Sequence, residues 1–159
     1  MATTTRTTMT TVELTGWVTF LRAHAAITRE LSVQLQREHG LTLNDYEVLL
    51  HLARADDSMM RRVDLAQSVL LSASGITRLL EGLERAGLVE KHACKSDGRV
   101  SYAKLTDAGH ARLREASVTH LRGVEELFAG RYSGSELETL AQLLSRLPLA
   151  GEPSTDCSV

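Results

Sequence analysis

Midway along this chain the apolar period changes from helical to alternating, and few folds accommodate such a change. From Arg62 to Val69, and again from Ser72 to Gly87, apolar residues recur at helical steps; from Leu88 to Leu105 they alternate with polar ones. In the second helical run Ile76, Leu79, Leu80 and Leu83 fall at i, i+3, i+4 and i+7, Ser72 is placed to cap the start, and Gly87 closes the end. Leu88–Cys94 and Val100–Leu105 flank Lys95-Ser96-Asp97-Gly98-Arg99, which reads as a turn, so the pair forms a β-hairpin. Residues 62–105 therefore spell helix, turn, helix, hairpin.

The rest of the chain is helical in pattern. From Val12, the residues Leu14, Trp17, Val18, Leu21, Ala25, Ile27/Thr28, Leu31 and Leu35 recur every three or four positions, until Gly40 stops the run. A helix of about 25 residues is about 37 Å long. That exceeds what one face of a small domain needs, and a second molecule could cover the excess. Thr42 and Asp45 open the next helix, with Tyr46, Leu49, Leu50 and Ala53 inward, and Asp56-Asp57-Ser58 breaks it. The short helix from Arg62 places Val63, Leu65 and Ala66 inward. Thr106-Asp107 caps a long helix with Ala111, Leu113, Ala116, Val118, Leu121, Val124 and Leu127/Phe128 inward. Ser133 or Ser135 starts a last helix, through Leu137, Leu140, Leu143, Leu144 and Leu147 to Pro148. Residues 1–11, seven of them threonine, and residues 149–159 read as disordered tails. The expected fold is mainly α with one small β-hairpin.

Composition narrows the function. With 159 residues, 43% hydrophobic and 24% charged, the chain suits one domain or a small domain with extensions. No apolar run approaches the ~20 residues that span a bilayer; the densest, 48–53, contains His51. The N-terminus has no apolar stretch of the signal-peptide kind, and Cys94 and Cys157 stand far apart, so a cytoplasmic protein without a disulfide framework is expected. Six histidines fall at no metal-ligand spacing, and neither a metal nor a cofactor is expected. The chain has no P-loop, no G-x-G-x-x-G, and no G-x-S-x-G around Ser74, where Ser72 holds the first glycine position; an enzyme is not expected.

The formal net charge of −2 argues weakly against nucleic acid, but the distribution of charge points the other way. Residues 1–60 carry net −2 and residues 105–159 net −3, while residues 61–104 carry eight Lys/Arg against five Asp/Glu. In a helix-turn-helix the second helix enters a major groove about 12 Å wide while its inner face packs on the first. Ser72, Ser74, Gly75, Thr77 and Arg78 suit the groove end of such a helix: hydroxyls and helix-start amides for phosphate oxygens, a guanidinium for a guanine edge or a phosphate. A hairpin tipped by Lys95, Asp97 and Arg99 supplies a wing, and an arginine on a narrow loop fits a narrow, electronegative minor groove. A Ser/Thr-rich helix start alone is only a cap, and Arg99 beside Asp97 alone is only a loop ion pair; the pieces in this order are far more specific.

The stretches Leu41-Thr42-Leu43, Tyr46-Glu47-Val48-Leu49, Asp64-Leu65-Ala66, Ser74–Val89, Asp97-Gly98-Arg99 and Leu105–Gly109 resemble the MarR family of winged-helix regulators. The resemblance implies a homodimer joined by intertwined N- and C-terminal helices: a dimerisation helix at 12–40, a winged helix-turn-helix DNA-binding domain at 41–106, and dimerisation helices at 107–148. It implies binding to a pseudo-palindromic double-stranded DNA operator, most often as a repressor, with release by a phenolic or other small-molecule effector. By position, Ser72, Ser74, Thr77 and Arg78 fall where the family reads the major groove, and Asp97 and Arg99 match its wing tip. The family wing commonly carries a second arginine after the first, and Val100 stands there here. Arg61 and Arg62 are candidate backbone clamps. Trp17, His24, Tyr46 and His51 are candidate effector contacts, set against plain core packing with a satisfied polar tip. Relatives that sense peroxide use a cysteine near the first long helix; none precedes Cys94 here. A winged-helix module that works through protein contacts, without gripping an operator, is the alternative.

Overall fold

The computed structural model describes residues 9–93 and 101–147; Cys94, Lys95, Asp97, Arg99 and Cys157 lie outside the described residues. Thr10 starts the first helix, α1 (Thr11–His39), through a capping box in which its hydroxyl accepts from the Glu13 amide and the Glu13 carboxylate accepts from the Thr10 amide at 2.6 Å. The helix therefore begins one residue before the apolar period does, inside the stretch expected to be a tail. Gly40, at φ 68°, ends it as the left-handed cap the sequence predicts. Its 29 residues span about 43 Å.

Helix α2 (Leu43–Arg54) repeats the capping device with Thr42 and Asp45. A 3-10 turn at Asp56–Ser58 leads into a short strand, β1 (Met59–Arg61). That strand corrects the expectation of a two-stranded hairpin: three residues are too few to show an alternation, yet β1 pairs antiparallel with β3 (Ser101–Leu105), which pairs antiparallel with β2 (Val89–Ala93), in the order β1-β3-β2. Between β1 and β2 lie α3 (Arg62–Ser68) and α4 (Ala73–Arg85). Helices α5 (Asp107–Leu127) and α6 (Gly134–Leu144) complete the chain, with Thr106 and Ser133 as N-caps. The last helix stops at Leu144, three residues before the Leu147 expected in it.

One core gathers the apolar faces of α2, α3, α4, the sheet, the last turns of α1 and the first turns of α5. Leu35, Val48, Leu49, Leu52, Leu65, Leu80 and Leu113 are its fully buried large side chains. The joint between sheet and α5 is close. Thr106 donates to the Gly87 carbonyl at 2.7 Å and caps the Gly109 amide, and a Cβ at Gly109 would collide with the Leu88 carbonyl. Glycine is required there by the approach of two backbones.

Several residues expected inward face out. Val63 is 63% exposed because the two-turn α3 buries Leu65 and Ala66, and Val69 just beyond it, instead. In α2 the buried set is Tyr46, Val48, Leu49 and Leu52, with Leu50 and Ala53 only partly covered. On α5, Val118 is 68% exposed and Leu121 is exposed as well. The buried face of that helix instead carries Thr119 and Gly123, where it crosses α1, and Ser117, beside Tyr46 of α2. These polar groups are satisfied: Ser117 donates to the Leu113 carbonyl, and Thr119 donates to Glu38, whose carboxylate also takes Arg122 at 2.9 Å. The Thr119 bond, then Arg122, holds the exposed Glu38 carboxyl below its ordinary range. Of the apolar stripe of α1, only Leu31 and Leu35 are buried; Leu14, Trp17, Val18 and Leu21 lie open. No residue of α6 is buried.

Candidate nucleic-acid interface

The two helices of the motif are joined by a turn that closes on itself. After α3, the amides of Val69, Leu70 and Leu71 donate back to the carbonyls of Leu65, Gln67 and Ala66. Leu70 takes the left-handed backbone, φ 54°, to complete the bend. Ser72 then caps α4, its hydroxyl accepting from the Gly75 amide at 3.1 Å. A side chain at Gly75 would crowd this cap, since a Cβ there would stand 3.2 Å from Ser72 Oγ. Ser74 Oγ lies 3.2 Å from Ser72 Oγ, and the Thr77 hydroxyl donates to the Ala73 carbonyl at 2.8 Å.

Period then sorts α4 into two faces. Ile76, Leu80 and Leu83 are buried, while Ser74, Arg78, Glu81 and Arg85 form an exposed row on the opposite side. The predicted Ser72, Ser74, Thr77 and Arg78 thus come together on the first two turns. Gly75, partly buried, serves the cap. Since Gly75 and Ile76 give their amides to Ser72, the amides of Ala73 and Ser74 are the ones left pointing out of the helix start. Among the described residues Arg78 and Arg85 hold no ion pair.

Arg61 ends β1 and Arg62 begins α3, so both stand at the edge of the same face. With Gln67, Thr77 and Ser101 they border a groove of about 540 Å³ between α3 and α4. Arg61 meets Asp64 at 3.6 Å, with both side chains about half exposed. Such a pair contributes little and leaves the guanidinium available to another anion.

Among the described residues, no cavity found here is shared by the four candidate effector residues. Tyr46 alone lines a cavity of about 330 Å³ between α2 and α5, with Leu50, Ser117 and His120, and with Arg114 at its edge. The Tyr46 hydroxyl is 3.3 Å from Ser117 Oγ, and its ring centroid is 4.5 Å from that of His120. Because Ser117 spends its proton on Leu113, the tyrosine donates. The buried Nδ1 of His120 has no hydrogen-bond partner among the described residues, and burial pushes its imidazole below the ordinary range. Sequence reasoning missed His120 and Ser117, since nothing in a sequence pairs positions 71 apart on two helices. His51 is partly buried and also lowered, by burial first and Arg54 second. Trp17, 53% exposed, and His24 flank Phe20 on the open face of α1, and His24 lines an apolar groove of about 450 Å³ between α1 and α6.

The described residues contain no helix long and apolar enough to cross a membrane. Comparison with known proteins fits this architecture. The model of the MarR family matches residues 39–100. The chain is 26% identical over 141 residues to the HTH-type transcriptional regulator MhqR of Bacillus subtilis, covering 89% of this chain and 94% of that protein. It is 31% identical to AbsC, a MarR family transcriptional regulator from Streptomyces coelicolor, with a TM-score of 0.81 over 89% of this chain and 95% of the other. Sco3205 from the same organism, a MarR family regulator solved in complex with DNA, superposes with a TM-score of 0.85 at 25% identity, covering 97% of both chains. These relatives are transcriptional regulators and not enzymes, and with this fold, this helix-turn-helix and this degree of identity the chain belongs to the MarR family of winged helix-turn-helix transcriptional regulators.

Proposed function

We propose that this regulator acts as a homodimer that grips a pseudo-palindromic operator, represses from it, and lets go when a small molecule binds. The observation that carries the reading is the exposed row of α4. A helix with a capped N-terminus and an apolar inner face presents Ser74, Arg78 and Arg85 together on the outside. Such a helix meets base edges with its N-terminal turns and phosphates with its free amides. Sco3205 supports the assignment by analogy, because a protein of this fold has been solved on DNA. In this reading residues 41–106 form the DNA-binding domain, and Lys95, Asp97 and Arg99 serve as the wing tip. Residues 12–40 and 107–148 are the dimerisation arms. What supports the dimer is the uncovered apolar face of α1, with Leu14, Trp17, Val18 and Leu21 open along it. A second copy would bring two α4 helices to successive major grooves.

The cavity between α2 and α5 supports the effector reading. It joins the DNA-binding domain to an arm, and it offers an aromatic wall, an imidazole nitrogen without a partner among the described residues and an arginine at its edge. Those groups suit a flat phenolic or carboxylate compound.

A gel shift on the DNA upstream of the protein's own gene, with salt and non-specific competitor titrated, tests the reading. A discrete, competitor-resistant shift is expected, and it should disappear on adding the effector. Arg78→Ala should weaken it and relax base preference; Arg99→Ala should weaken it with a shallower salt dependence. Absence of any shift at low salt, across the upstream DNA, would instead favour a module that works through protein contacts.

A further inference from the structure

The outward row of α4 contains one residue that does not suit a polyanion. Ser74, Arg78, Glu81 and Arg85 stand at i, i+4, i+7 and i+11, on one line about 16 Å long. All four are exposed. A hydroxyl and two guanidiniums are what a phosphate-lined groove attracts; a carboxylate is what it repels. Neighbouring arginines could neutralise such a carboxylate, but among the described residues Glu81 makes no ion pair and no hydrogen bond with Arg78, Arg85 or any other group. The inner row of Ile76, Leu80 and Leu83 is filled with core, so Glu81 cannot turn inward.

In the major groove the groups that reward a carboxylate are exocyclic amines. Cytosine N4 is such a donor. Adenine N6 is another, but N7 beside it is an acceptor that would face the second carboxylate oxygen. We propose that Glu81 determines operator specificity by accepting a hydrogen bond from cytosine N4, once in each half-site. This rests on the reading above that α4 lies in the major groove. The charge of Glu81 then has a second effect. On any duplex lacking cytosine at that position Glu81 is left against the phosphate field without a partner, so it lowers non-specific binding as well as selecting a base.

The test is selection of random duplexes by the full-length chain, followed by measurement of affinity for every base at each selected position. Wild type, Glu81→Gln and Glu81→Ala are compared after their melting temperatures have been matched. Wild type should prefer cytosine at one position per half-site by about tenfold. Glu81→Ala should flatten that position alone and raise affinity for non-specific DNA. Glu81→Gln should move the preference to adenine, whose N6 and N7 an amide can meet together, a change that a merely structural residue would not produce. Identical base profiles for all three chains would overturn the assignment and make Glu81 a solvated surface charge. Affinity lost equally at every position would overturn it too, and would make Glu81 a support for Arg78 and Arg85. Failure of the wild type to select any sequence would defeat the DNA reading itself, and the role of Glu81 with it.

Discussion

The winged-helix region and the arms of this molecule use the same kind of residue in opposite ways. In the first, Val48, Leu49, Leu52, Leu65 and Leu80 are wholly enclosed by their own chain, and of its large apolar side chains only Val63 and Leu70 stand mostly exposed among the described residues. In the arms, Leu14, Trp17, Val18 and Leu21 on α1 and Leu143 on α6 stand open, although their spacing is that of a core. The arms cross each other where α1 meets α5, through Leu31 and the Glu38–Thr119–Arg122 cluster, and they reach the core through Leu35 of α1 and Leu113 and Ala116 of α5. One region thus encloses its large apolar residues within the chain, and the other leaves a row of them uncovered, the row on which the proposed dimer rests.

The contrast can be broken most forcefully at Leu113, which is 1% exposed and ties α5 into the core. Leu113→Ala should lower unfolding free energy by about 2–5 kcal/mol, at any protein concentration. Trp17→Ala should cost much less of the single chain's stability but make the melting temperature fall more steeply on dilution. Equal, dilution-independent losses for the two would erase the distinction between region and arm.

A smaller effect comes from pH. Burial holds His120 and His51 below the ordinary imidazole range in the folded chain, so the unfolded chain takes up those protons first as pH falls. The stability they contribute is full above pH about 6.5 and is lost on acidification through the folded values. Glu47, pushed up by burial, acts the other way, but only in the carboxylate range further down. Denaturant melts at pH 7.5 and 6 should therefore show a loss for wild type and a smaller loss for His120→Gln. An unchanged loss would mean that His120 plays no part in the acid sensitivity.

The smallest effect belongs to the turn of the DNA-binding motif. Leu70 is 75% exposed and holds φ 54°. The left-handed conformation costs a leucine roughly 1–2 kcal/mol, while glycine loses more chain entropy on folding. Leu70→Gly should raise stability by less than about 1 kcal/mol and leave operator affinity unchanged. A fall in either quantity would show that the leucine side chain contributes there.

What the sequence made readable follows the same division. Caps and stops are local, so Thr42, Ser72, Thr106, Gly40 and Gly87 could be placed from their neighbours, and each stands where expected. The α4 row was visible for the same reason, since helical period alone separates Ser74 and Arg78 from Ile76 and Leu80. The third strand was not, because Met59-Met60-Arg61 acquires strand geometry only by pairing with a segment over forty residues away. The outward turn of Val118 and Leu121 was hidden too: an amphipathic period gives an apolar face but not which body covers it. The cavity of Tyr46 and His120 depends on the packing of α2 against α5, which no local pattern encodes.

Sedimentation velocity of the purified chain, with Leu21→Asp beside it, puts the division between a self-sufficient region and partner-seeking arms to the test. Wild type should sediment as a dimer, and the variant as a monomer of unchanged helical content. A wild type that sediments as a monomer with its helices intact would contradict that division.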